Sequence, residues 1–248
     1  MMNRKLGKKP VRRDLRTLQL ENYIAHLPIP PDSTDWSSKA APFPMFLNDK
    51  IGDCTCAAAA HMIEVWTKNA KLREVELTDT RVLKAYEDIS GYDSDTGEND
   101  NGAVELDVLN FWRKRGIGGH RILAYTSINT GHLDNIKTAC WLFGGIYVGL
   151  ELPITAQKQE IWDVIDDGGL NPDSAIGSWG GHAVSIHQYD SDGLTCITWG
   201  QLQRMTWQFF RTYCEEAYAV LSRDWLRKNQ APNGFAITEL LADLTEVT

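Results

Sequence analysis

The stretch Asn48-Asp49-Lys50-Ile51-Gly52-Asp53-Cys54-Thr55-Cys56-Ala57-Ala58-Ala59-Ala60-His61-Met62-Ile63-Glu64-Val65-Trp66 decides how the chain is read. Four consecutive alanines followed by Met62, Val65 and Trp66 predict a strong helix, because alanine loses no side-chain entropy and the larger residues recur at helical spacing. Asp53 stands at the N-cap position. Cys54 therefore opens the helix, where unpaired N–H groups and the positive end of the helix dipole favour a thiolate. The charge of Asp53 opposes that ionisation. The N–H of Cys54 is also suited to receive an oxyanion, and Gly52 admits close approach of another chain. A cysteine at a helix start is by itself more often a small buried hydrophobe than a nucleophile, so the chemistry depends on a partner.

Working outward, a second helix is predicted from Thr78, with Val82, Leu83, Tyr86 and Ile89 on its apolar face. The Gly- and Asp-rich segment 91–102 does not have the spacing of a calcium loop and reads as a solvated loop. Val104, Leu106, Val108, Leu109, Phe111 and Trp112 predict a third helix ended by Gly116, and 132–142 a weaker fourth. Ile146–Leu150 reads as a strand, 153–181 as loop-rich chain, and 182–189 and 194–199 as two further strands. Thr206 caps a short helix through Tyr213, and Ala217–Leu221 is a last strand. Helices come first and strands later, without β-α-β alternation, which predicts an α+β fold.

The partner for Cys54 lies far downstream in Gly180-Gly181-His182-Ala183-Val184. A histidine that starts an apolar strand after two glycines is presented at a cleft edge, where it can take the thiol proton. Alone it is more often a structural residue; together with Cys54 it points to nucleophilic catalysis. His187, five residues on, faces the other side of the same strand.

In order along most of its length, the sequence resembles the papain-like cysteine peptidases, in a divergent bacterial or phage form. Pro31-Asp32-Ser33-Thr34-Asp35-Trp36 resembles the mature start of these enzymes, and Asn48 through Cys54 the segment from the oxyanion-hole amide to the nucleophile. Asn48 stands where the family has Gln, and Gly52-Asp53 where it has Gly-Ser. Gly181-His182-Ala183-Val184 is similar to the family's histidine strand, and Ile197-Thr198-Trp199-Gly200 to its Asn-Ser-Trp-Gly strand end. Here Ile197 falls at the orienting Asn, and a one-residue slip brings Thr198 there instead. The resemblance implies a helical half carrying the nucleophile helix, packed against an antiparallel sheet or barrel half. It also implies a thiol hydrolase of peptide or amide bonds, with Cys54 as nucleophile, His182 as base, Asn48 as oxyanion donor, Thr198 as substitute orienter and Trp199 as a shield. No cofactor and no metal is implied. The degenerate third position leaves two alternatives: an inactive papain-fold binding or assembly protein, as in a phage-like particle, or a related amidase, deamidase or transglutaminase.

Composition sets the frame. With 43% hydrophobic and 23% charged residues among 248, the chain is long enough for one sizeable core. No apolar run reaches membrane-spanning length, and no apolar stretch follows the basic start, so neither a membrane span nor a secretory signal is expected. Residues 1–16 hold seven Lys/Arg against one Asp, and the net charge is −8, so the remainder carries about −14. An acidic body with a cationic arm argues against nucleic acid as partner; a peptide or protein substrate is expected, and an assembly partner for the arm. Five irregularly spaced cysteines disfavour a disulfide framework and place the chain in a reducing, cytoplasmic compartment. Cys54 and Cys56 with His61 lack the second pair of a zinc knuckle. The expected organisation is a basic arm over 1–30, then a papain-like domain over 31–248. Within that domain a helical half runs to about 130, a sheet half covers 131–225, and 226–248 forms a C-terminal extension. The arm is shorter than the inhibitory propeptide of such enzymes, which argues against a zymogen device. Trp162 and Trp179, in the loop-rich stretch, are expected at the cleft.

Overall fold

The alanine run gives its helix no bulk on any side, and that helix becomes the buried centre of the molecule. The computed structural model describes residues 4–22, 28–70, 75–166 and 168–234. Helix α1 (Cys54–Asn69) is buried along nearly its whole length, because Ala57 to Ala60 let neighbouring elements approach closely. Helices α2 (Asp79–Ser90) and α3 (Glu105–Lys114) pack beside it, and Trp66 of α1 stacks on Trp112 of α3 at 5.6 Å between ring centroids. The Trp66 indole N–H is satisfied by the carbonyl of Phe143 at 2.8 Å, as a buried donor requires. Gly91, at φ 77°, ends α2 in the left-handed conformation.

Eight strands follow one another into a single open sheet. They are β1 (Thr34–Asp35), β2 (Ile122–Ser127), β3 (Ile146–Leu152), β4 (Ile161–Trp162), β5 (Gly180–Tyr189), β6 (Gly193–Thr198), β7 (Gln201–Thr206) and β8 (Cys214–Ser222). Their spatial order is β2-β8-β3-β5-β6-β7-β4, with β1 added to the end of β5. Every pairing is antiparallel except β4 with β7, so the sheet is mixed and its two ends are not joined. Helix α4 (Leu133–Leu142) precedes β3, and α5 (Trp207–Tyr213) starts where the Thr206 hydroxyl accepts from the N–H of Phe209 at 3.0 Å. The α+β reading holds, with helices leading and a sheet following.

Several local expectations are corrected. Asp53 occupies the N-cap position but its buried carboxyl makes no capping bond. Strands β2 and β7 form where no strand was expected, and the loop-rich stretch contains β4. Trp162 is fully buried against Phe209 and belongs to the core, not to a cleft. Of the C-terminal extension, residues 235–248 lie outside the described residues; before them Trp225 is buried, its indole donating to the Leu142 carbonyl at 2.7 Å.

For the site, the decisive packing is α1 against β5. It lays the first turn of the helix across the start of the strand that carries His182.

Candidate active site

Cys54 is the first residue of α1, and its sulfur accepts a hydrogen bond from the N–H of Ala183 at 3.4 Å. The nucleophile candidate thus touches the residue that follows His182 in β5. On the other side of His182, Nε2 meets the Thr198 hydroxyl at 2.7 Å, while Nδ1 makes no hydrogen bond among the described residues. Thr198 ends β6, and Trp199 follows with φ 45°, a left-handed turn that swings its indole back over the imidazole. The two rings stack at 4.2 Å with 10° between planes, and Trp179 stacks on Trp199 at 5.5 Å. Ile197, the other residue considered for the third position, instead joins Phe43 and Val65 in a small apolar cluster.

Asn48 is buried, and what it touches is the arm. Its side-chain amide donates to the carbonyl of Lys5 at 3.4 Å, and Trp199 Nε1 donates to the same oxygen at 3.1 Å. Residues 5–9 lie along the groove as an extended peptide. The N–H of Lys5 donates to the Asn48 carbonyl, that of Lys8 to Gly181, and that of Lys9 to Ala103, while Ala103 donates back to Gly7. Gly7 passes between Gly52 and Gly102 so tightly that a Cβ on it would lie 1.9 Å from the Gly52 carbonyl oxygen. One on Gly102 would lie as close to the oxygen of Gly7. Only glycine serves at such a backbone crossing. The arm was expected to serve an assembly partner, and its shortness argued against an inhibitory device; among the described residues it lies on this chain, across the Cys54 groove, short as it is.

The Gly- and Asp-rich loop read as solvated is exposed over most of its length, but its end at Asp100 and Gly102 turns in to form a wall of that groove. Asp100 accepts from the N–H of Gly52 and from the Tyr86 hydroxyl, both at 2.8 Å, and pairs with Lys5 at 3.2 Å. No cluster of metal-ligating side chains occurs among the described residues.

Under the arm Cys54 and His182 are both buried, and burial favours the uncharged form of each. Burial pushes the Cys54 thiol up to about 12; the Ala183 and Gly7 N–H groups only partly offset this, and Asp53 adds to it. The dipole argument for a thiolate is therefore outweighed in this closed arrangement. Burial likewise pushes His182 down to about 3, helped by the charge of Arg4, whose guanidinium lies 5.0 Å from the Trp199 ring. His187 faces elsewhere: its Nδ1 meets the Gly144 carbonyl at 2.7 Å.

No protein-family profile and no curated protein sequence matches the chain. Solved structures do. Xylellain, a cysteine protease from Xylella fastidiosa, superposes with a TM-score of 0.68 at 14% identity, over 91% of this chain and 97% of that one. The fold is that of the papain-like cysteine proteases. Digestive procathepsin L 3 of the Tenebrio molitor larval midgut gives a TM-score of 0.57 at 13% identity, covering 89% of this chain and 76% of its own. A Carica candamarcensis cysteine protease solved in complex with E-64 gives 0.55 at 14% identity, over 77% and 99%. Identities this low establish shared architecture and leave the chemistry to the site itself.

Sequence reasoning named Cys54, His182, Asn48 and Thr198 from spacing and resemblance. The groove wall of Gly102, Ala103 and Asp100 was missed; its only sequence signal was a run of glycine and aspartate, which is also what a solvated loop contains.

Proposed function

We propose that this chain is a papain-like thiol hydrolase of peptide or amide bonds, held closed by its own N-terminal arm. Cys54 Sγ attacks the carbonyl carbon while its proton passes to His182 Nδ1. Thr198, on Nε2, fixes the ring. The oxyanion is received by the Asn48 amide and by the Cys54 N–H, which as the first of α1 has no helical partner. His182 then returns the proton to the leaving amine, and water, activated by the same imidazole, hydrolyses the thioester. The observation that carries this reading is the Ala183 N–H bond to Cys54 Sγ, which keeps the sulfur beside the histidine strand. The arm adds support, since the groove holds an extended peptide and Asn48 donates to one of its carbonyls.

Incubation with a peptidyl acyloxymethyl ketone is the test. Labelling at Cys54, abolished in Cys54→Ala and slowed in His182→Ala, is the expected result. Equal modification of all the cysteines, or no modification of Cys54 even after the arm is displaced, overturns it. A second reading, an inactive papain-fold binding or assembly module, is favoured by one feature: a threonine stands where an amide orients the imidazole. That reading requires the second outcome.

A further inference from the structure

The arm does more than cover the sulfur: it inserts one side chain into a pocket. Lys8 is fully buried along its side chain. Its ammonium lies 3.0 Å from Glu151, 2.5 Å from Glu215 and 3.4 Å from Glu216, and donates to the Lys9 carbonyl at 3.3 Å. A fourth carboxyl, that of Glu105 in α3, is completely buried near enough to act on the Lys8 charge without touching it, and neither of its oxygens has a hydrogen-bond partner among the described residues. The Tyr218 hydroxyl donates to Glu216 at 2.7 Å.

Four acidic side chains around one cation is an excess that packing does not require. Burial pushes Glu105 and Glu216 above the ordinary carboxyl range; repulsion from Glu216 adds to it at Glu105, whereas the Tyr218 hydroxyl and Lys8 draw Glu216 down, and Lys8 draws Glu105 down as well. Burial alone would lower the Lys8 ammonium, yet the carboxylates outweigh it and hold its pKa above the usual value. A pocket of this kind is costly empty and favourable around a cation.

Its shape is also made for an unbranched chain. The shaft of Lys8 runs over Gly149 of β3, where a Cβ would lie 2.2 Å from Lys8 Cε and 2.8 Å from Cδ, so a side chain at 149 would collide with it. Gly149 pairs with Ala183, the residue whose N–H reaches Cys54 Sγ. The Lys8 side chain therefore crosses β3 one strand away from the residue that holds the sulfur.

We propose that the Glu105–Glu151–Glu215–Glu216 pocket is a side-chain subsite of the groove, selecting peptide substrates that carry a lysine within a few residues of the bond attacked at Cys54, with Lys8 of the arm as its resident occupant. The assignment rests on the peptidase reading for the word substrate, whereas the pocket's preference for a lysine side chain can be measured without turnover.

The experiment uses full-length chain with Lys8→Ala, and in parallel Lys8→Met, which keeps the packed volume should the first variant misfold. Internally quenched peptides identical but for Lys, Arg, norleucine or Glu at one position are used, the position being scanned across both sides of the cleaved bond. Hydrolysis is followed in the Cys54 background and anisotropy of dye-labelled versions in Cys54→Ala. The expected result is at least about tenfold preference for Lys over norleucine in both readouts, the size of a single charge-assisted contact. Replacing Glu215 and Glu216 by Gln should bring it near parity. Lysine-selective binding without hydrolysis retains the subsite and rejects the peptidase. Hydrolysis indifferent to lysine does the reverse. Equal binding of Lys and norleucine, or no binding of any peptide, overturns the proposal.

Discussion

Gly7→Ala should unlatch the arm, and the structure sets the size of the effect. Four main-chain hydrogen bonds hold residues 5–9 in the groove. At about 0.5–1.5 kcal/mol each they contribute roughly 2–6 kcal/mol, before any share from the Lys8 ion pairs. An arm held by about 3–4 kcal/mol leaves the groove open in roughly 0.1–1% of molecules. The alanine methyl would stand 1.9 Å from the Gly52 oxygen and 2.3 Å from its carbon; both are backbone and cannot rotate away. Forcing an extra carbon into such a contact costs about 1–3 kcal/mol, and every 1.4 kcal/mol is a factor of ten. The open fraction should rise about 5- to 150-fold, up to full opening. The assay is the rate of iodoacetamide labelling at Cys54 at pH 7.5, read by peptide mass spectrometry, with near-ultraviolet circular dichroism as a control for folding. An unchanged rate in a folded Gly7→Ala protein refutes the latch, as does a wild-type Cys54 that already labels like the thiol of a short peptide.

Two further outcomes follow from single contacts. Thr198→Val removes the hydroxyl that His182 Nε2 meets and strands a buried ring nitrogen, so stability should fall by about 1–3 kcal/mol in urea titration. In the Gly7→Ala background it should also slow peptide-probe labelling by tenfold or more; wild-type rates in that double variant would show that Thr198 does not orient the imidazole. Glu64, in α1, is raised to about 8, chiefly by burial. A carboxyl raised in the folded state contributes stability at low pH that is lost as pH climbs through its folded value. Wild-type stability should therefore decline between about pH 5 and 9 from this group. Glu64→Gln should be the more stable protein at pH 9 with a flatter profile; parallel pH profiles would assign the decline to other groups.

What could be read in the sequence was what is encoded locally. Val82 and Tyr86 recur at helical spacing and are buried faces of α2; Thr206 both signals and caps α5. Strand β7 was invisible because Gln201, Gln203 and Arg204 dilute its alternation, and its order comes from pairing with β6. Strand β2 likewise takes its register from β8, nearly a hundred residues later. At the site, Thr198 was reachable by a slip of register, whereas Trp162 was misjudged because a tryptophan in a glycine-rich stretch looks exposed until Phe209 is known to stack on it. Lys8 carried no signal at all. It is one cation in a basic run, and its carboxylates come from α3, β3 and β8.

The parallel bridges Lys8 to Ala103 and Gln19 to Ser127 fasten the arm at two places along its course. A segment tied down so near its own docking place is present there at an effective concentration in the millimolar range. An incoming polypeptide that makes only the same contacts competes at a steep disadvantage, so admission to the groove is governed by whatever frees the tether more than by the abundance of any visitor.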